Sequence, residues 1–390
     1  MSRRLSKLKR KRITSRKTWS HYASYALLIG PSAFIVSFMG ILSFKLKSSK
    51  FVFWKLHFVY ATILIIVFTA VTIYSAYVLN LTYKFRDEAN KWHSNILIFV
   101  GLINLFISYA NNRSMIKAIQ RVSDISRVVP PKIFCKLTKI VLMKDLILVT
   151  PLFSFIAILI SYFNILAFYL IWCMFTGIFA LINLYTNNVY ILSACFQQIN
   201  ESLEKVKEIL INDEPHLLRR VFHSRKNPML LSMLRHQKKQ YLETSKIVHE
   251  LNDAFSMQME TSLFLLLIDT TFNIYSYLAV YSDEGMVKQF GYDIMFGVLN
   301  VILVIFITLV VDIARNEMAK IGWNIHRILI HTSDDKVTTE LEMFSLQVLQ
   351  RGNTFMINGL VLDLTYLTQI ASGISTLLLI VIQFSISKSC

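Results

Sequence analysis

The sequence predicts an all-α membrane protein with seven transmembrane helices, a cytosolic N-terminus and an extracellular C-terminus. Hydrophobic residues make up 54% of the 390 positions and charged residues only 17%, which leaves a soluble fold too few polar side chains to cover its surface. Long apolar runs recur along the chain, and a helix of about 20 such residues crosses a bilayer. The basic residues behind the net charge of +17 lie in blocks between these runs. Such blocks are typical of orientation signals in membrane proteins and argue against nucleic-acid binding.

Charge decides which of the apolar runs cross the membrane. The candidate runs are residues 22–44, 58–79, 95–110, 140–163, 165–190, 261–281, 290–311 and 364–387. The head of the chain is basic, with no acid before Asp87, and the block 113–139 is also basic, so both are expected in the cytosol. An even number of crossings must then separate them. The first run contains Gly30-Pro31 and Gly40 and is interpreted as an interfacial or re-entrant segment, so that seven spans remain, S1 to S7.

This topology divides the chain into six parts. The first part is a basic cytosolic N-terminus with the interfacial segment (1–56), and the second carries S1–S4 (57–190). A cytosolic helical extension and loop (191–258) and the spans S5 and S6 (259–313) follow. The last two parts are cytosolic helices (314–358) and S7 with a short extracellular tail (359–390). The sequon that begins at Asn80 falls outside, where the asparagine either accepts a glycan or is a chance match.

Amphipathic stretches adjoin the spans on the cytosolic side. Residues 187–211 lack Pro and Gly, and their apolar side chains recur at three- and four-residue steps. Similar stretches cover 240–255, 314–330 and 338–348. We expect these helical extensions to form an anchor bundle, because their apolar faces must be buried. They pack either on one another or against other subunits, and the sequence is interpreted in favour of the inter-subunit bundle.

S7 carries polar residues along one helical stripe. The stripe consists of Gln369, Ser372, Thr376 and Gln383, and Leu379 and Ile380 interrupt it. Because polar side chains facing lipid are unfavourable, this face should meet protein or water. It either packs against other helices through small and polar residues, or lines a pore in which Leu379 and Ile380 form a hydrophobic constriction. A neutral lining predicts weak selectivity among cations.

The end of S7 resembles the signature of the insect gustatory receptor family, which is Thr-Tyr, five hydrophobic residues and Gln-Phe. Here Thr376-Leu377 precedes residues 378–382, and Gln383-Phe384 follows. Leu377 replaces the signature Tyr, so the chain looks like a divergent member. Residues 359–363, 188–192 and 196–200 are also similar to the family pattern. The resemblance implies a taste receptor of the plasma membrane that is a ligand-gated, non-selective cation channel. It also implies a homo- or hetero-tetramer, with S7 and Phe384 at the pore and a small-molecule tastant as ligand.

The resemblance places a ligand pocket among S1–S6, opening to the outside. Aromatic side chains that suit sugars or flat compounds stand at the predicted outer ends of the spans: Tyr74, Tyr77, Tyr169, Trp172 and Tyr277. The alternative is an aromatic belt at the membrane interface. Asp269, near the middle of S5, marks either a functional site or buried pair, or a protonated structural carboxyl.

Other function classes lack their signatures. The sequence has no HExxH, P-loop, GxSxG or clustered His/Cys/Asp set, so we expect no enzyme activity, no metal and no cofactor. A G-protein-coupled-type receptor requires the opposite orientation, and the chain lacks both an Asp-Arg-Tyr run after S3 and an NPxxY motif in S7. A secondary transporter would show internal repeats or paired broken helices. Both classes stay as alternatives to the channel.

Overall fold

The computed structural model describes residues 25–47, 50–81, 88–162, 166–211, 219–281, 287–332 and 334–389, with side chains except at 149, 151–172, 211–227, 279–294 and 385–389. The helices are α1 (Tyr25–Phe38), α2 (Lys55–Leu81), α3 (Glu88–Ile125), α4 (Pro131–Tyr162), α5 (Leu166–Ile211), α6 (Arg219–Tyr281), α7 (Val287–Ile330), α8 (Asp335–Gln350) and α9 (Thr365–Ser389). The strands are β1 (Phe44–Lys47), β2 (Lys50–Phe53), β3 (Met356–Ile357) and β4 (Leu360–Val361). Each consecutive strand pair forms an antiparallel hairpin.

The first apolar run forms a short helix and leads into a hairpin. At about 1.5 Å per residue the described part of α1, Tyr25–Phe38, is shorter than about 30 Å of hydrocarbon. It ends before Gly40, whose φ of +75° favours glycine. A Cβ at this position would also lie 3.2 Å from the Cα of Ala61. The β1–β2 hairpin that follows, with Phe44 opposite Phe53, was not predicted, because periodicity alone does not reveal so short a pair of strands.

Seven long helices, α2–α7 and α9, carry the predicted spans, as the all-α prediction required. By length and composition, five segments among the described residues could cross a membrane: Lys55–Leu81, Glu88–Val128, Cys173–Leu210, Met295–Ile330 and Thr365–Phe384. They contain S1 and S2 and overlap S4, S6 and S7. S3 lies on α4, and S5 lies on the second half of α6. Asp269 and Asn273 interrupt the apolar sequence of S5.

The extensions of α5, α6 and α7 form a second bundle together with α8. The apolar stripe of α5 is buried in the same core as side chains of α6 and α8: Leu192, Cys195, Phe196, Ile199, Leu203 and Val206. The chain's own helices cover this stripe, so the preference for an inter-subunit bundle to bury it was wrong. The reason is that α6 and α8 return alongside α5 and supply the apolar surface. Residues 219–227, in the part of the chain that was predicted to carry a loop as well as a helical extension, are helical, and α6 contains Pro228.

Ionic and polar contacts attach α8 and the segment after it to α6. Glu340 of α8 accepts from Lys238 Nζ at 2.5 Å and from Arg235 Nε at 3.2 Å. The hydrogen bond from Lys238 is the main reason that the pKa of Glu340 lies below its usual value. Asn353 accepts from the Ser245 hydroxyl at 2.5 Å and donates to the Tyr241 hydroxyl at 2.9 Å. Burial raises the pKa of Tyr241 to about 12, so this hydroxyl stays a neutral partner at physiological pH.

We expect Glu340→Gln to destabilise the extramembrane bundle by about 1 kcal/mol, because the ion pairs are partly screened by solvent. The folded-state pKa of Glu340 is lowered, so its contribution is present above the unfolded glutamate pKa and is lost as pH falls through the folded value. The difference in thermal midpoint between wild type and variant should therefore shrink on acidification below about pH 4.3. Glu342→Gln, at an exposed position of the same helix, is the control. A pH-independent difference would contradict the assignment.

Candidate functional site

The start of α9 is held by Asp363. Its carboxylate accepts from the backbone N–H of Thr365 at 2.9 Å, from the Thr365 hydroxyl, and from Arg315 Nη1 of α7 at 2.5 Å. The Thr365 hydroxyl contributes most to lowering the pKa of Asp363, and the charge of Arg315 adds to it. An ionised Asp363 is well placed at a helix N-terminus, where the dipole favours negative charge. Asp363 therefore both caps α9 and connects it to α7.

One face of α9 packs against the rest of the chain. Its half-buried positions are Leu367, Ile370, Gly373, Ile374, Leu377, Leu378, Val381 and Ile382, and its neighbours are mainly α6 and α7. A Cβ at Gly373 would lie 3.1 Å from Leu267 Cδ1 of α6, so the glycine allows a close approach of the two helices. Leu377, which replaces the signature tyrosine, lies on this packed face.

The opposite face of α9 is exposed within the single chain, and it carries every residue predicted for the pore. The predicted residues are Gln369, Ser372, Thr376, Leu379, Ile380, Gln383 and Phe384, and all are exposed. Leu379, for example, is 61% exposed. The polar stripe is thus not used for packing against the chain's own helices. The structure shows where these residues lie, and their role stays a prediction.

A small cavity of ≈ 30 Å³ lies among the end of α1, α2, α3 and α5. Its wall is mostly apolar, with Met39, Ile41, Phe68 and Met174 among the lining residues. The polar part comes from the Asn104 and Ser108 side chains of α3. Asn104 Nδ2 donates to the Ser262 hydroxyl of α6 at 2.7 Å. An apolar wall with a few polar groups is the usual composition of a small-molecule site, although this volume is close to that of one water molecule.

Of the aromatic residues predicted for the ligand pocket, the three whose side chains are described, Tyr74, Tyr77 and Tyr277, do not line this cavity. Tyr74 and Tyr77 point outward from α2, at 58% and 63% exposure, and Tyr277 is 40% exposed. These positions fit the alternative of an interfacial aromatic belt. The side chains of Tyr169 and Trp172 lie outside the described residues, so that part of the prediction stays open.

Asp269 is the centre of a buried polar cluster that joins α3, α6 and α7. Its Oδ1 lies 3.0 Å from His93 Nε2, and its Oδ2 accepts from Asn273 Nδ2 at 3.0 Å and Asn300 Nδ2 at 2.6 Å. The His93 ring stacks on Phe272 at 4.7 Å between centroids. Of the two interpretations of Asp269, this geometry favours the buried pair, because two amide donors face Oδ2 and the His93 ring faces Oδ1. His93 and Asn300 were missed, because nothing in one sequence indicates which residues a buried carboxylate will meet.

A second buried cluster surrounds Lys144 and Asp145 of α4, which sequence reasoning also missed. Lys144 Nζ lies 3.1 Å from Asp145 Oδ1 and donates to Asn183 and Asn187 of α5, the latter at 2.5 Å. Asp145 Oδ2 also accepts from the Ser32 hydroxyl of α1 at 2.9 Å. The sequence did contain a signal for this cluster, because adjacent opposite charges inside the predicted span S3 must be paired.

Asn80 is exposed near the end of α2, and its amide is already hydrogen bonded. Its Nδ2 donates to the Ala76 carbonyl at 2.7 Å and to Asn95 Oδ1 at 3.0 Å. A glycan would replace one of the two hydrogens on this nitrogen and would therefore have to displace one of the two contacts. Thr82, which completes the sequon, lies outside the described residues. Among the residues that were described, no group of three His, Cys, Asp or Glu side chains could hold a metal ion.

Comparisons with known proteins agree in family and in fold. A family model described as 7tm chemosensory receptor matches residues 25–388. The insect olfactory receptor OR5 from Machilis hrabei in complex with eugenol aligns with a TM-score of 0.67 and 12% identity, over 93% of this chain and 99% of that chain. A second structure of OR5 aligns over the same shares with a TM-score of 0.64 and 11% identity. At such identities the likeness shows the fold alone. A search of curated proteins gives no significant match.

We expect Asp269→Asn to destabilise the folded protein by about 3 kcal/mol, because the amide cannot accept from three donors and leaves buried donors unpaired. Thermal unfolding of the purified protein measures the effect. In a double-mutant cycle, His93→Ala should cost much less in the Asp269→Asn background than in the wild type. Asp312→Asn, which alters an exposed contact with Asn316, is the control. Additive costs for Asp269 and His93 would contradict a shared cluster.

Proposed function

The chain belongs to the 7tm chemosensory receptor family, and on that premise we propose that it is a gustatory-type receptor acting as a ligand-gated, non-selective cation channel. The family is one of multi-pass membrane receptors and not of enzymes. Assignment as a ligand-gated channel goes beyond membership of the family. It requires a pore, an assembly of subunits around the pore and a ligand that opens it. The plasma membrane is the proposed location, with the N-terminus in the cytosol.

The observation that carries the proposal is the division of α9 into two faces. One face packs on α6 and α7, and the other presents Gln369, Ser372, Thr376 and Gln383 to the outside of the subunit. In hydrocarbon these polar groups would be unfavourable. Around a symmetry axis, equivalent stripes from several subunits would instead enclose water. The packed face explains why α9 is held on the subunit while its polar face stays available.

Within such a pore, Leu379 and Ile380 would form the constriction. Both are exposed on the stripe side of α9, between the polar positions Thr376 and Gln383. A ring of large apolar side chains prevents conduction by excluding water until it widens. Gln383 and Phe384 would lie beyond this ring, towards the extracellular end. A lining without a carboxylate is consistent with weak selectivity among cations.

The outer face of α8 supports a tetramer or another symmetric assembly. The inner face of this helix, with Val337, Leu341 and Phe344, is buried in the extramembrane bundle. Its outer face exposes Met343, Leu346 and Leu349, and Leu349 is 81% exposed. Apolar side chains clustered on an extramembrane surface mark a protein interface. Subunit contacts through α8 would bring the α9 helices around one axis.

A small-molecule tastant is the proposed ligand. The insect receptor OR5 was solved with eugenol, a small aromatic compound, and the present chain has an apolar cavity with an amide and a hydroxyl in its wall. The cavity is too small for such a molecule as it stands, so binding would require side chains such as Met39 and Met174 to move. Methionine is suited to this, because its side chain is unbranched and adaptable.

We expect that wild-type protein in liposomes free of G proteins passes cations when its ligand is present. Gln383→Lys should lower the cation conductance at least about twofold, since a ring of positive charge repels the permeating ion. Leu379→Asp should leave a pore that is open without ligand or does not conduct, because the charge hydrates the constriction. Single-channel recording measures both. Ile382→Val, on the packed face, should retain the wild-type conductance.

Normal currents in both pore variants would contradict the assignment of α9. A ligand response that needs added G proteins would favour the G-protein-coupled-type alternative, and substrate flux without channel openings would favour a transporter. Tags at the two termini, probed from outside intact cells, check the proposed orientation, which an extracellular N-terminus would refute.

We expect Leu346→Glu combined with Leu349→Glu to dissociate the assembly into smaller species. Both side chains are exposed within the subunit, so the fold should survive, whereas two carboxylates at an apolar interface would be desolvated without partners. Native mass spectrometry of the purified protein gives the subunit number. Lys239→Glu, at an exposed position of α6, is the control. An unchanged subunit number in the double variant would exclude the outer face of α8 from the interface.

A further inference from the structure

The β1–β2 hairpin presents a basic face. Directly opposite residues of an antiparallel pair share one side of the sheet. The pairs Lys45–Val52 and Lys47–Lys50 therefore lie on one face, while Phe44, Leu46, Phe51 and Phe53 lie on the other. The second face turns inward: Phe51 is buried, and its ring lies 5.7 Å from that of Tyr25. The three lysines of the first face are exposed.

Other exposed cations adjoin the hairpin. Lys55, the first residue of α2, is exposed, as are Arg113 and Lys117 on the neighbouring part of α3. The hairpin is fastened to α3 there, since Phe51 N–H donates to Gln120 Oε1 at 2.6 Å and the Arg113 guanidinium lies over the Phe53 ring at 4.7 Å. We call this set the basic hairpin surface: Lys45, Lys47, Lys50, Lys55, Arg113 and Lys117.

Nothing in the described part of the chain neutralises the basic hairpin surface. No residue before Asp87 is acidic, and α3 has no acid between Glu88 and Asp124. Among the described residues, none of the six cations forms an ion pair with a carboxylate, whereas Arg121 one turn further along α3 pairs with Glu250 at 3.1 Å. Lys47 and Lys50 stand directly opposite each other, and like charges in that position repel. An external anion between them would remove the repulsion.

The position and the remaining side chains of the hairpin identify the source of that anion. The surface adjoins the first residue of α2, a membrane-spanning helix, so it lies at the level of the lipid head groups. Exposed apolar side chains stand beside the cations: Val52, Trp54 and Leu56. Lys45 Nζ also lies 5.1 Å from the centre of the Trp54 ring. Lysine for the head group combined with tryptophan and leucine for the acyl boundary is the composition of a membrane-surface anchor.

We propose that the basic hairpin surface binds the head groups of anionic phospholipids in the leaflet on its own side of the membrane. The lysine ammonium groups contact the lipid phosphate and carboxylate oxygens, and Trp54 and Leu56 enter the acyl boundary. This inference is independent of ion conduction, because it concerns the protein perimeter and holds for a protein without ligand. It gives the short first segment a role: an anchor that fixes α2 in depth.

The test uses full-length protein in nanodiscs of phosphatidylcholine with and without phosphatidylserine. Association of spin-labelled phosphatidylserine and phosphatidylcholine with the protein is measured by electron paramagnetic resonance. Wild type should prefer the serine lipid at low salt. The quadruple variant Lys45→Gln, Lys47→Gln, Lys50→Gln and Lys55→Gln should lose about fivefold or more of that preference, and four arginines at the same positions should restore it.

The matched control removes four exposed lysines of the extramembrane helices by Lys205→Gln, Lys239→Gln, Lys246→Gln and Lys336→Gln. It should keep the preference for phosphatidylserine. Should the hairpin variant not fold, salt titration of the wild type replaces it, because the preference must fall as the Debye length shortens. Equal preference in the hairpin variant and wild type, an equal loss in the control, or a salt-insensitive preference would overturn the proposal.

Discussion

Polar side chains inside a membrane must find partners or water, and this constraint organises the whole molecule. Asp269 meets it with the amides of Asn273 and Asn300 and the ring of His93, and Lys144 and Asp145 meet it with each other and with amides of α5. Each cluster joins at least two helices that are distant in sequence. The clusters therefore act as fixed points between helices whose other contacts are apolar and less specific in register.

α9 is the exception to that pattern, and the exception is informative. Its stripe of polar side chains is exposed and does not pack against the subunit's other helices, although the helix is firmly placed by Asp363, Arg315 and the close contact at Gly373. A polar face left exposed on a well-held helix fits a surface completed by other copies of the chain. The same logic applies to α8, whose inner face is buried while large apolar side chains point outward. α8 and α9 follow each other in the chain, and each exposes a face that its own subunit does not cover. This favours one assembly in which other subunits cover both faces.

In the extramembrane bundle one surface buries the α5 stripe and another is left for subunit contacts, although the sequence predicted a single surface for both. Burial of the α5 stripe is achieved by α6 and α8 of the same chain, so the stripe needs no second subunit to cover it. The outer surface of the bundle is then free to make subunit contacts. A movement of α8 would reach α9 through the short β3–β4 hairpin and the ion pair between Asp363 and Arg315, so the junction is a natural place for coupling between the bundle and the proposed pore.

The sequence by itself determined the helical class, the long spans and the stripe of α9, because apolar run length and helical period are local properties that one chain records. It also determined that all predicted pore residues share one face. Only the tertiary structure decided which face of α9 packs inward, which partners Asp269 takes, and that Tyr74 and Tyr77 point away from the cavity. These outcomes depend on which distant segments approach one another. Such contacts are set by the packing of whole helices, and the spacing of residues along one helix does not encode them.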